Sequence, residues 1–239
     1  MRFSQSWQPL AVALAAAATP VLGQVYGTYS TFNAIAGNTN SSDPALMGNH
    51  YNHWKLVSKD EKAGTTAWDL TRSARLPAPN PKTIKMLGKR ASAVIEPSRS
   101  AFVIVDMQNF FLHPNMTPSA SLGRAAVGPT INLIKAFREN GMKILWTNWG
   151  FDDYDLIISP PADLDGFSDD HTRATSFCSD MGSMTDASGK TVQLGKKLCR
   201  GAWNARPYGD LDAEMVQGVE KGTDFYFNKT KTDPLTLGA

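Results

Sequence analysis

Cysteine is scarce: the 239-residue chain has two, Cys178 and Cys199. Two cannot build a disulfide scaffold, nor a tetrahedral zinc site unaided. Histidine is nearly as rare, with four residues, His50, His53, His113 and His171. None falls in HExxH or another strong zinc motif. His50 and His53 share a local site, but no close carboxylate or cysteine completes it. Loop-packing or solvent-facing roles are expected for all four. P-loop, GxSxG and GxGxxG motifs are absent, so no nucleotide or cofactor is expected. A charge imbalance is also missing, since 24 basic and 22 acidic side chains leave a formal +2. That balance gives no electrostatic reason to expect nucleic acid as a partner. Beyond residue 21 no apolar run reaches the length of a bilayer-spanning helix, so no stable membrane span is expected.

What is present begins at the N-terminus. Arg2 supplies a short positive region, and residues 9–21, PLAVALAAAATPV, are almost wholly apolar. The stretch is short for a bilayer core, Pro20 breaks it, and small Gly23 precedes Gln24. This pattern reads as a secretory signal peptide, residues 1–23, and predicts a secreted, extracellular protein. Secretion permits a Cys178–Cys199 disulfide. Closing its loop of roughly 20 residues stabilises by about 3 kcal/mol in the chain-entropy account. The competing reading makes a cysteine nucleophilic, with Arg200, Lys196 and Lys197 favouring the Cys199 thiolate. Neither cysteine has the strand-then-helix setting that presents a thiol at a helix N-terminus, so the disulfide is preferred. Sequons at Asn40, Asn115 and Asn228 permit N-glycosylation where exposed.

An apolar fraction of 42% excludes a mostly disordered chain, and the length suits one ordinary domain. Residues 24–64 read as a loose N-terminal arm; short strands are expected at 54–57 and, further on, at 93–95. Ordered patterning starts at residues 101–105, AFVIV, a compact apolar run suited to a buried strand. Residues 128–141, GPTINLIKAFRENG, read as a helix. Pro129 fits its first turn, Ile131, Leu133, Ile134 and Phe137 form its apolar stripe, and Gly141 ends it. MKILWT, residues 142–147, is the next buried strand, completing a right-handed βαβ unit. A long insertion follows to about residue 210. LDAEMVQGVEKG, residues 211–222, suggests a short helix and turn, and residues 223–229 a third strand. Three parallel strands are fewer than an ordinary sheet holds, so the sheet is expected to be incomplete at the C-terminus. Exposed edges there would invite association, hence a homo-oligomer.

Functional groups in parallel sheets gather beyond the C-terminal strand ends, where Asp106 and the NWG at residues 148–150 fall. A carboxylate placed there acts as a general base or caps a local turn. Lys229 ends the third strand and can hold a substrate carboxylate or lower a neighbouring thiol's pKa; otherwise it is a solvated strand end.

Residues 101–114, AFVIVDMQNFFLHP, resemble the isochorismatase-like cysteine hydrolases, with their strand followed by an Asp-x-Gln-Asn loop. KILWTNWG, YDLIISPP, LCRGAWNARPYGDL and DFYFNKT continue the likeness in order, over roughly residues 65–230. Spacing and order also resemble the larger fungal secreted members. The resemblance implies an α/β, Rossmann-like three-layer parallel sheet with flanking helices. It also implies a catalytic Cys-Asp-Lys set acting by a covalent thiol on an amide or enol-ether small molecule. Asp106 and Lys229 match the acid and the lysine. The cysteine is expected after Lys229, and the chain reads as C-terminally truncated with a divergent tail at 231–239. TNWGFDDYD lacks the histidine of the related nicotinamidase metal site, so no such metal is expected. A catalytically inactive secreted binding or host-interaction protein is the second reading.

Overall fold

The computed structural model describes residues 46–48, 53–71, 77–186 and 188–231. The expected signal peptide, Asn40, His50 and the tail from residue 232 lie outside the described residues. The chain divides into two compact units, Met1–Pro97 and Ser98–Ala239.

The first unit holds β1 (Leu46–Gly48), β2 (His53–Asp60), β3 (Thr65–Asp69), β4 (Lys82–Lys85) and β5 (Arg90–Ile95), in the order β1-β2-β3-β5-β4. β3 and β5 run parallel, and the other pairs are antiparallel. The strands expected at 54–57 and 93–95 lie within β2 and β5. β3 and β4 were not legible because TTAWD and KTIK carry no apolar alternation. What this sheet packs is aromatic: Trp54 and Trp68 meet edge-on at 6.1 Å, and the Arg90 guanidinium lies 5.4 Å from the Trp54 ring centre.

The second unit runs β6 (Ala101–Val105), α1 (Asn109–Leu112), α2 (Ser121–Ala125), α3 (Val127–Glu139), β7 (Lys143–Trp149), α4 (Asp153–Ile158), α5 (Pro161–Asp165), β8 (Ser183–Thr185), β9 (Thr191–Gln193), α6 (Asp210–Glu220) and β10 (Asp224–Lys229). β10-β7-β6 is a parallel sheet, and β8-β9 a small hairpin. The expected βαβ unit is therefore present as β6, α3 and β7. Ile134 and Phe137 of α3 are buried, with Phe137 packed 5.0 Å from Phe102 of β6. Leu133, expected in the same stripe, is 38% exposed; Thr130 takes the third buried position. Gly141 follows the helix at φ 72°, a left-handed conformation that costs glycine little.

The sheet and two of its helices meet at one guanidinium. Arg138 of α3 donates to Asp224 of β10 through Nε (2.9 Å) and Nη2 (2.7 Å), and to Glu214 of α6 through Nη1 (2.7 Å). Trp146 of β7 donates its indole N–H to the same Asp224 (2.8 Å). Gly218 of α6 faces this cluster so closely that a Cβ would collide with Asp224 and Arg138.

The architecture is thus α/β, with parallel and antiparallel sheets and flanking helices. The expectation of one parallel sheet is corrected by the five-stranded mixed sheet of the first unit. No helix of the described residues is long and apolar enough to cross a membrane.

Candidate functional site

Strand order decides what meets. β7 lies between β6 and β10, with Val105 beside Thr147 and Lys229 beside Trp149. Asp106 turns off the end of β6 at φ 56°, its N–H donating to the Thr147 carbonyl (3.1 Å). That turn carries its carboxylate across β7 to Lys229, with Nζ 3.1 Å from Oδ2. The two residues singled out from sequence, 123 positions apart, therefore form one ion pair. Lys229 is buried and its side chain is 3% exposed, against 29% for Asp106. The ammonium also lies 3.8 Å from the centre of the Trp149 ring and donates to the Lys231 carbonyl (3.2 Å).

Asp106 Oδ1 is buried without a hydrogen-bond partner among the described residues. Burial pushes the Asp106 carboxyl above its ordinary pKa, while the charge and hydrogen bond of Lys229, and a hydrogen bond from Trp149, pull the other way. Burial wins. Ionising this acid therefore costs the fold. Its contribution to stability is full below the ordinary carboxylate pKa and is lost as pH rises through the elevated value.

One wall beside the pair is aromatic. Trp149 stacks on Phe151 (5.8 Å), Phe151 on Phe177 (4.0 Å), and Phe167 lies 5.0 Å from Trp149. Leu198 completes this buried cluster. Phe177 and Leu198 each precede a cysteine, and Cys178 and Cys199 are joined in a disulfide with Cα atoms 5.2 Å apart. The insertion is held further by buried Lys197. Its ammonium donates to the Phe167 carbonyl (3.2 Å), the Thr175 carbonyl (2.6 Å) and Asp169 (2.9 Å).

Gln108, in the loop after β6, has no local sequence signal for a role. It is fully buried and sutures three segments. Its Nε2 donates to the carbonyls of Trp149 (2.8 Å) and Ala205 (2.7 Å), and its Oε1 accepts from the Trp149 N–H (2.9 Å). Replacing it with leucine leaves three buried backbone groups unsatisfied. Gln108→Leu is expected to lower unfolding free energy by roughly 2–4 kcal/mol, read from urea denaturation. An unshifted midpoint would remove this residue from the account.

Both cysteines are spent in the disulfide, and no free cysteine is found. The expected Cys-Asp-Lys covalent mechanism on an amide or enol ether is thereby overturned for this chain. A disulfide sulfur has no thiolate to attack with. The same bond disposes of a Cys199 thiolate activated by Arg200. Arg200 instead pairs with Asp152 (2.9 Å) and Asp155 (2.8 Å) at the start of α4. Among the described residues no group of three His, Cys, Asp or Glu side chains is placed to hold a metal ion.

The Isochorismatase domain family matches residues 100–233, more than half of the chain, and the chain belongs to that family. The match spans the Asp106–Lys229 pair and both cysteines. No curated protein matches the chain.

Proposed function

We propose that this protein is a secreted, non-catalytic binding member of the isochorismatase family that holds a small molecule at the Asp106–Lys229 corner. The observation that carries the reading is the disulfide. It leaves an intact acid–lysine pair beside no free thiol among the described residues. Asp106 is the more exposed member of the pair, and its buried Oδ1 has no hydrogen-bond partner among the described residues. A ligand offering an amide or hydroxyl donor supplies what that carboxylate lacks.

Secretion is supported by the apolar stretch at 9–21. N-glycosylation is supported by the sequons at Asn115 and Asn228, both exposed. Likeness to the larger fungal secreted members, and a Rossmann-like layering of the Ser98–Ala239 unit, belong to the same reading. They are supported by the ordered motifs and by the parallel β10-β7-β6 sheet.

The test pairs calorimetry with a turnover assay on the full chain, using benzamide and phenyl vinyl ether as probes. Saturable binding with no product, weakened at least about tenfold by Asp106→Asn, is the expected result. Product formation by the full chain would sink the non-catalytic reading.

A further inference from the structure

The Ser98–Ala239 unit carries an open groove of about 660 Å³ lined by neither Asp106 nor Lys229. That volume suits a small molecule of two or three rings. Aromatic rings form one wall. His113 stands between Trp203 and Tyr208, edge-on to both, at 5.3 and 6.1 Å. Burial, aided by the charge of Arg124, holds the His113 imidazole below its ordinary pKa, so it is a neutral ring at neutral pH. Asn109 fixes the rim by donating to the Trp203 carbonyl (2.9 Å).

The charges of the groove are balanced and largely committed. Arg206 forks onto Asp212, Nε to Oδ1 at 3.0 Å and Nη2 to Oδ2 at 2.6 Å. Arg124 spends its donors on the carbonyls of Leu112, Thr117 and Pro118. Asp210, exposed in the first turn of α6, adds a second carboxylate against the two arginines. A phosphate or sulfate would meet arginines already engaged with Asp212 or with backbone carbonyls, and two carboxylates would repel it. An aliphatic chain would meet too many polar groups. Aromatic rings beside paired carboxylate and guanidinium groups suit a ligand with a C–H face and vicinal hydroxyls. The face packs on a ring, and each hydroxyl pair bridges a carboxylate or a guanidinium edge.

We propose that this groove is a binding site for a neutral saccharide, packed on Trp203 and Tyr208 and hydrogen-bonded by Arg206, Asp210 and Asp212. The site is independent of the Asp106–Lys229 corner.

Calorimetry of the full chain tests it, with maltotriose, cellotriose and triacetylchitotriose as neutral probes and glucuronic acid as the anionic control. At least one neutral probe is expected to saturate with a Kd of about 1 mM or tighter. Tyr208→Ala should weaken that binding about tenfold and Asp210→Asn about threefold, each variant first shown folded by circular dichroism. Asp210 is exposed, so its variant keeps the test valid if Tyr208→Ala does not fold. Saturating benzamide should leave the saccharide affinity unchanged. The proposal is overturned if no neutral probe saturates, if only glucuronic acid binds, or if neither folded variant alters the affinity.

Discussion

Arg138→Met is expected to destabilise the Ser98–Ala239 unit by about 3–5 kcal/mol. The reason is what the substitution leaves behind. The Asp224 side chain is fully buried, and Arg138 is its only ion-pair partner among the described residues. Without the guanidinium the carboxylate keeps the Trp146 indole and the Thr223 hydroxyl, two neutral donors for one buried charge. Glu214 loses its partner in the same step, so α3, α6 and β10 come apart at a shared point. Urea denaturation followed by tryptophan fluorescence reads the loss. The double variant Arg138→Met, Asp224→Leu removes the stranded charge and should recover part of the stability, because an apolar replacement of a buried pair is far milder than half of one. A loss below about 1 kcal/mol in the single variant would show that the network contributes nothing beyond a surface ion pair.

The second large effect is expected from the disulfide. Cys178→Ala with Cys199→Ala should lower stability by about 3 kcal/mol, since the bond closes a loop of 21 residues in the unfolded chain. The effect also has a location. Phe177 and Leu198 lie next to the two sulfurs and pack against Trp149, so the stacked rings should lose their fixed geometry first. Near-ultraviolet circular dichroism reports that loosening, and reduction of the native protein with dithiothreitol should reproduce it. An unchanged urea midpoint and an unchanged aromatic spectrum would mean that packing and Lys197 hold the insertion without the bond.

The parts legible in the sequence share one property: each is carried by neighbours in the chain. AFVIV, the 128–141 helix and the strand ending at Lys229 announce themselves by local periodicity. Asp106 and Lys229 were found because each ends such a strand. Their contact was not legible, because it depends on strand order, and order is fixed by packing between segments more than 100 residues apart. Gln108 illustrates the same limit. A glutamine after a strand has no local signal for a role that consists of reaching the backbone at Trp149 and Ala205. Arg138 drew no reading from the sequence, and only the approach of α6 and β10 makes it a hub. Of the mixed sheet in the first unit, two strands could be read and three could not, for its β3 and β4 have no alternation to find. The preferred disulfide is present, and with it went the thiol chemistry that resemblance had implied.

The φ of 56° at Asp106 limits which residues can stand there. Left-handed backbone is cheap for glycine and tolerable for asparagine and aspartate, while β-branched residues are strained there. The corner thus filters its occupants by conformation before any ligand does. Most substitutions at this position are therefore expected to cost folding stability, whatever the corner binds. An acid at this corner is thus held in place by its backbone as well as by its ion pair with Lys229.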